Sequence, residues 1–516
     1  MMWNNQEGIS MQAPTVFWKN PVLWFFFVFA ILGLCVVSHY GLGWDDEWSR
    51  SDTGYINFNY IFHGAREALL NGNEKYHGPF LELLLVLIEK ATGVNDMHQI
   101  YLLRHLVLFL LFFISLIAFY KSARYYFSPN WSLLACLMLV CTPRIFAESF
   151  YNSKDIGLLS FFNFSVYTLL RSLHRPSVTN IIWHALFSGM LLAIRIIGVV
   201  VPLVTVAYVG VLFLLNRRNK QLLGFVLLYL VLTIATMILC WPVLWEGPLH
   251  HFVQAWLEMK RYHWDGSVLY LGKYVPATEL PWHYVLLWIG ITTPPVFLLF
   301  FIMSIVVFLV QLIRTPFTTS VQHVVPNISL MLFIIPVCSV VLMHAVIYDG
   351  WRHLYFIYPL LILTALHGLY QLKNQWHKAG LGLLGIQLLL TGFWMVQNHP
   401  FEMVYFNSVS RSLVPNFNQR FEKDYWGLSY KQALQYLLQK HPGDTLNVAF
   451  ENLPGELNSQ ALCTEDRARI QVEKKEQLKK GFFLTNYRWS SEPQDSCVKR
   501  FEVDEMSIMG IYYFEH

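Results

Sequence analysis

Apolar runs of 18 or more residues recur along most of this chain, and they limit what it can fold into more than any other feature. A helix rises about 1.5 Å per residue, so about 20 apolar residues cross a hydrocarbon core of about 30 Å. Of the 516 residues 55% are hydrophobic and only 14% are charged, against about 25% charged in an ordinary soluble domain. The chain reads as a polytopic α-helical membrane protein. Eleven spans are expected, at about 19–39, 103–120, 130–143, 156–171, 180–197, 199–216, 221–243, 284–313, 325–347, 352–371 and 379–397. The run near 130 is short, and 180–216 is either one bent hairpin or two full spans. The first run is too long for a signal peptide, and no small-residue cleavage site follows it.

Basic residues set the orientation. With the N-terminus in the cytoplasm, the inner segments hold Lys19, Lys121, Arg124, Arg171, Arg175, Arg217, Arg218, Lys220, Arg314, Lys373 and Lys378, against the single acid Glu7. This predicts an extracytoplasmic position for the first loop, residues 40–102, and for the tail, residues 398–516. The net charge of +4 says little by itself.

The tail carries 14 of the 37 Lys plus Arg and 16 of the 33 Asp plus Glu, in under a quarter of the chain. It reads as a soluble extracytoplasmic α/β domain following a transmembrane module, 1–397. "SYKQALQYLLQKH" has helical spacing, and "TLNVAF", "ARIQVE", "GFFLTN" and "MGIYYFE" read as strands. Of seven cysteines, Cys35, Cys136, Cys141, Cys240 and Cys338 fall in spans, where a thiol behaves as a small apolar group. Cys463 and Cys497 share the tail on the oxidising side, so a disulfide between them is expected.

The outer turns collect the polar chemistry. "GLGWDDEWSRSDTG" places Asp45, Asp46 and Glu47 between Trp44 and Trp48 at a membrane exit. Asp52 or Thr53 could cap a helix running to "EALLNG", which Asn71-Gly72 stops. A helix of about 13 residues is expected after Pro79, with Gly93 at its C-cap, lying in the membrane interface. "CTPRIFAESFYNSKDIGL", 141–158, reads as a second outer loop offering Arg144, Lys154 and Asp155. Arg195 lies near the outer end of an apolar run, where a charge costs several kcal/mol unless partnered. "IYDGWRHLYFIYP" adds Asp349, Arg352 and His353. Each of these has a plainer reading as a solvated turn, an interfacial anchor or a surface pair. Their concentration on one face favours a working site there.

Carboxylates facing Arg, Lys and His at a membrane boundary suit a phosphate held by the cations and a hydroxyl oriented or deprotonated by an acid. A phosphate at that depth most simply belongs to a lipid. Displacement at a sugar anomeric carbon, with the lipid phosphate leaving, fits this pattern. The sequence shows no P-loop and no Gly-rich nucleotide fingerprint. No C-x-x-C metal spacing occurs, and no nucleic-acid partner is expected.

"WDDEW", the acid in "PRIFAESFYNSKDIGL", "ELPWHYVLLWIGITTPP", "YDGWRHLYFIYP" and "HPFEMVYFN" with "FEKDYWG" resemble stretches of integral-membrane glycosyltransferases. The likeness is to the GT-C fold enzymes of family 39, the branch of protein O-mannosyltransferases and lipid A aminoarabinose transferases. It implies a polyprenyl-phosphate sugar donor, an acceptor that is a lipid, glycan or protein, and a bacterial inner-membrane location. By the resemblance the first-loop acid is catalytic. Matching the family's Asp-Glu pair gives Asp46-Glu47, matching the preceding Trp gives Asp45, and both stay open. The second-loop acid corresponds to Asp155. His77, in His77-Gly78-Pro79, matches a His-Pro-Pro stretch only in part. Glu47, His77, Arg144, Lys154, Arg195, Arg352 and His353 are expected to bind substrate. No metal ligand carries over, although some relatives of this fold hold a divalent ion at the loop acids. A transporter or flippase of an anionic lipid is the alternative, and it would favour internal repeats, of which none is seen.

Overall fold

The computed structural model describes residues 20–215, 220–260, 264–314, 321–489 and 497–515. Among these, six helices are long and apolar enough to cross a bilayer: Met97–Ala123, Ser153–His174, Ile196–Leu214, Gln221–Leu239, Arg352–Tyr370 and Asn374–Asn398. Pro129–Val140 and Pro143–Tyr151 pass the same test as one span bent by 72°. Four shorter apolar helices accompany them, Pro21–Val36, Val178–Leu192, Pro295–Gln311 and Ile328–Met343. Every expected span but one falls on one of these helices; the exception, 284–313, divides into Tyr284–Thr292 and Pro295–Arg314, and the chain is a multi-pass membrane protein. By length and composition, six of the described helices qualify to cross, or seven if the bent pair counts as one span.

The helices are interrupted where the site lies. Proline opens Pro129–Val140 and Pro143–Tyr151, where its missing N–H and fixed φ suit a first turn. The segment read as a second outer loop is therefore helical. Residues 143–151 are wholly buried, and Ser153–His174 begins two residues later. The run 180–216 is two helices, broken at Ala193–Arg195, with Arg195 extended (φ −148°, ψ 135°). A broken span leaves backbone groups that need partners. The Phe80 N–H donates to the Ala193 carbonyl (3.1 Å). At the break after Thr292, Asn407 donates from its side chain to the Gly290 and Thr293 carbonyls (2.7 and 2.9 Å) and from its N–H to Ile291 (2.8 Å).

The first outer loop holds helix Phe80–Thr92, with Gly93 (φ +70°) at its C-cap. Its buried face includes Glu82 and Glu89, both paired with the buried Arg104. Asp52 and Thr53 cap nothing. They lie inside a π-helical segment, Ser49–Tyr55, that joins helices Asp45–Trp48 and Ile56–His63 into one rod.

A two-stranded hairpin, β1 (Ser267–Tyr270) and β2 (Lys273–Pro276), precedes a five-stranded mixed sheet near the C-terminus. The sheet comprises β3 (Leu446–Phe450), β4 (Ile470–Val472), β5 (Lys480–Thr485), β6 (Cys497–Val503) and β7 (Met506–Glu515), in the order β4-β3-β5-β7-β6. Helix Tyr430–Lys440 buries Tyr430, Leu434 and Leu437 against Val448, Leu484 and Ile511. Residues 401–428 do not join that core. Phe406, Phe417, Phe421, Tyr425 and Trp426 pack instead with Trp288 and Trp351 of the helical module.

Cys463 and Cys497 are both free, which corrects the expected disulfide. Cys497 begins the edge strand β6, whereas Cys463 leads through helix Thr464–Arg467 to β4 at the opposite edge. Neighbouring strands lie about 4.8 Å apart, so a five-stranded sheet separates its edges far beyond the Cα–Cα reach of a disulfide, about 7 Å.

Helices 295–314 and 358–370 pack with almost no space between their backbones. A Cβ on Gly368 would fall 2.2 Å from the Phe300 carbonyl oxygen, an atom that cannot rotate away. Gly368→Val should therefore cost at least about 1–3 kcal/mol and lower the melting temperature in detergent. Gly385→Ala, at a helical position with nothing within 4 Å, is the matched control and should be neutral or stabilising.

Candidate active site

The first-loop rod begins at the acidic triplet, and this fixes where each acid points. Successive helical side chains fan out by about 100°. Asp45 lines a cavity of about 560 Å³. Asp46 turns back and accepts from the Gly43 N–H (2.6 Å). Glu47 accepts from the Tyr101 hydroxyl (2.6 Å) and lies 3.7 Å from Arg50. Three adjacent carboxylates thus serve three places, and only Asp45 reaches the cavity.

Asp45 meets Arg352. The Arg352 Nη1 lies 3.2 Å from Asp45 Oδ2 and 3.1 Å from Asp155 Oδ2, and Nη2 lies 3.5 Å from Asp349. Asp155 also accepts an ion pair from Arg195 Nη2 (2.9 Å). The Asp155 side chain is 1% exposed and that of Asp45 is 29% exposed, so Asp155 is sealed behind the arginines while Asp45 stays open to a ligand. Local structure holds Asp155 there. Asn152 caps helix Ser153–His174, accepting from the Asp155 N–H (3.0 Å) and donating to Asp155 Oδ2 (2.9 Å). The guanidinium of Arg352 lies over the rings of Trp426 (4.6 Å) and Tyr348 (5.1 Å).

Lys154, adjacent to Asp155, does not pair with it. Its Nζ lies 3.8 Å from Glu74, which also meets His77 Nδ1 at 2.8 Å. Lys154, His77, Arg195 and His353 all line the cavity. Gly78 explains the departure from a His-Pro-Pro stretch. A Cβ there would fall 2.3 Å from the Ala193 carbonyl oxygen, at the break that presents Arg195.

Burial pushes the Asp45 carboxyl up, but Lys154 and Arg352 together outweigh it and hold the group below the usual carboxylate range. Asp46 behaves oppositely. Burial pushes it up to about 7, against the Gly43 N–H and Arg104, which favour the charged form.

Beyond these polar groups the cavity is apolar, lined by Val199, Leu203, Ile335, Val340 and Met343 among others. The polar groups include the cations Lys154, Arg195 and Arg352 and several carboxylates, Asp45 among them, and much of the remaining wall offers hydrocarbon. That combination suits a ligand with an anionic head and an isoprenoid-like body.

Of the expected site residues, Asp45, His77, Lys154, Arg195, Arg352 and His353 line the cavity, and Asp155 supports it from behind. Asp46 and Glu47 face elsewhere, as above. Arg144 is withdrawn as a substrate contact. It is buried, donates to the Tyr405 carbonyl (3.0 Å) and lies over Trp288 and Phe406, fastening the segment after the last span. Two site residues were not anticipated, Glu74 and Arg488. Glu74 lies in a loop with no pattern of its own, and Arg488 follows strand β5, 136 positions after Arg352. Neither carries a signal in a single sequence.

Among the described residues no group of three or more His, Cys, Asp or Glu side chains gathers as metal ligands. The two loop acids that would hold a divalent ion are instead bridged by one guanidinium nitrogen. The residues present do not fit such an ion, and no step is derived through one.

ArnT from Cupriavidus metallidurans bound to undecaprenyl phosphate aligns over 96% of this chain and 98% of its own, with a TM-score of 0.51 at 14% identity. Its apo form aligns over 95% and 98%, with 0.51 at 12%. The apo oligosaccharyltransferase of Archaeoglobus fulgidus gives 0.53 at 11%, over 90% of this chain and 66% of that one. Residues 76–245 match the family model described as dolichyl-phosphate-mannose-protein mannosyltransferase. The protein has the fold of a GT-C glycosyltransferase. No curated protein matches it in sequence. Within this chain the matched segment holds His77, Lys154, Asp155 and Arg195, while Asp45 and Arg352 lie outside it.

The raised Asp46 carboxyl has a signed consequence. Its folded value, about 7, exceeds its ordinary 3.8, so the folded state binds the extra proton and stability falls as pH rises between those values. Asn keeps the acceptor for Gly43. Asp46→Asn should therefore raise the melting temperature more at pH 8 than at pH 5. An equal shift at both would show that Asp46 is ionised throughout.

Proposed function

We propose that the protein transfers a sugar from a polyprenyl-phosphate donor to an extracytoplasmic acceptor at this cavity. The reading rests on one observation: an accessible carboxylate, Asp45, beside the cations Lys154, Arg195 and Arg352 at the polar end of an otherwise apolar cavity. The ArnT likeness, at 14% identity, supports the fold, and its bound undecaprenyl phosphate supplies a probe.

In this reading the isoprenoid lies along the apolar wall, and Arg195, Arg352 and Lys154 take the phosphate. The acceptor hydroxyl gives its proton to Asp45, and its oxygen bonds to the anomeric carbon. The bond from that carbon to the phosphate oxygen breaks, and its electron pair leaves on the lipid phosphate, where the cations hold the charge. Asp155 acts as a positioning residue, keeping two guanidinium groups apart and aimed.

In this reading the cavity and the sheet domain face the extracytoplasmic side of a bacterial inner membrane; the Lys and Arg on the opposite turns support the orientation, and the family resemblance supports the membrane. A reporter active only in the cytoplasm, fused after His516, should be silent, and strong signal there would reverse the topology.

A positioned base contributes about 100- to 10,000-fold. Asp45→Asn should lower turnover at least about 100-fold while undecaprenyl phosphate still binds. Arg195→Ala should weaken that binding, read as a smaller thermal shift on adding the lipid. Asp46→Asn should stay active. Full activity in Asp45→Asn would exclude Asp45 as the base. A small, pH-independent defect would mean an acceptor already ionised, such as a phosphate.

A further inference from the structure

We infer that the acceptor is a carbohydrate, and that it binds on a wall of the cavity built jointly by the first-loop rod and the sheet domain. This rests on the proposed glycosyl transfer and adds to it the acceptor's class and subsite.

The wall consists of Trp44 and Trp48, which flank the acidic triplet, and Arg488 and Trp489, which follow strand β5; all four line the cavity. The Arg488 guanidinium carbon lies 5.5 Å from the Trp44 ring centre and 4.8 Å from that of Trp489, so it joins the two indoles. Its Nη2 donates to Asp349 Oδ1 (2.7 Å), and Nη1 donates to the Tyr425 carbonyl. Asp349 in turn meets Arg352, which meets Asp45. A continuous set of contacts thus runs from Trp489 to the proposed base.

The chemistry of the wall selects its ligand. Trp48 and Trp489 are 51% and 46% exposed, leaving indole surface at the polar end of the cavity rather than along its hydrocarbon wall. Trp44 Nε1 and Arg488 Nε are buried and have no hydrogen-bond partner. Both are donors only, so an oxygen of the ligand is what satisfies them. A sugar ring offers both complements at once: an apolar C–H face for the indoles and hydroxyl or ring oxygens for the N–H groups. A hydrocarbon would leave the donors unmet. A peptide backbone would answer the donors with its carbonyls but offers the indoles no apolar C–H ring face. The charge of Arg488 is balanced by Asp349, so the wall does not require an anion. Because Trp48 lies one turn after Asp45, on the same face of the rod, a sugar on this wall brings its hydroxyls to the carboxylate.

The test uses the detergent-purified full-length protein on arrays of printed neutral and acidic oligosaccharides and of Ser/Thr-containing peptides, with undecaprenyl phosphate thermal shift as a separate arm. The protein should bind oligosaccharides. Trp48→Ala and Trp489→Ala should each lower that affinity about tenfold, as truncating an aromatic anchor does. Trp489→Phe should recover most of it, and all three should keep the wild-type shift with undecaprenyl phosphate. Unchanged saccharide affinity in both Ala variants overturns the inference. So does binding of peptides instead of saccharides, or no saccharide binding by a wild type that still takes the lipid. Failure of undecaprenyl phosphate to stabilise the wild type would instead remove the glycosyl-transfer reading.

Discussion

The site depends on the way one buried guanidinium is shared. Arg352 is 2% exposed, and a lone charge so placed costs several kcal/mol. It is tolerated because its planar fork meets Asp45, Asp155 and Asp349, while Trp426 and Tyr348 cover its faces. These partners come from the first loop, the start of a span, its own turn and the segment after the last span. The contact that neutralises the arginine also fixes how four distant parts of the chain lie together. Asp155 is the most constrained partner, because it serves Arg195 as well. Withdrawing it would leave two cations facing each other in a sealed space.

Such a cluster cannot form along unbroken helices, whose side chains at membrane depth face lipid or packed neighbours. The chain solves this with interruptions, each closed by a specific partner. The break at Ala193–Arg195 turns Arg195 into the cavity and returns its stray carbonyl to the Phe80 N–H. Asn407 seals the break after Thr292 with three hydrogen bonds. The bend between Val140 and Pro143 makes room for a wholly buried helix that ends at Asn152, the cap that aims Asp155. The segment after the last span therefore belongs energetically to the helical module, although its charge resembles that of the tail.

Much of this was legible in the sequence, for identifiable reasons. Long apolar runs have few folded solutions, so the helices fell where expected. A charge at membrane depth is costly, which singled out Arg195; Asp155 and Arg352 stood out by their place in outer turns and by the family resemblance. Direction was not legible. Nothing in "DDE" says which acid faces a ligand, because that depends on where the helix begins. Arg144 looked like its neighbours but turns toward Tyr405, Trp288 and Phe406. The disulfide failed because sharing a compartment is not proximity across a sheet. Strand β6 was missed because Lys499 and Arg500 mask its alternation on a wet edge. Arg488 was invisible because its partner lies 139 residues away.

The balance of charge bears on the order of events in the proposed transfer. Around Asp45 the cations Lys154, Arg195, Arg352 and Arg488 are each paired with a carboxylate, from Glu74, Asp155, Asp45 or Asp349, and Asp52 and Glu258 add further acids to the cavity lining. Arg195 and Arg352 are pinned by Asp155 at 2.9 and 3.1 Å, and Arg488 by Asp349 at 2.7 Å. Lys154 is held most loosely, 3.8 Å from Glu74, and after burial it is the largest influence on Asp45. An arriving lipid phosphate therefore draws most readily on Lys154. In doing so it removes the strongest of the charges that depress Asp45, and it adds an anion nearby. Both changes make Asp45 a better proton acceptor. Lys154 and Arg352 hold the carboxylate below its usual range, and a phosphate that draws Lys154 away relieves that hold. On this reading, donor occupancy and base strength are coupled through one lysine, with no movement of the backbone required.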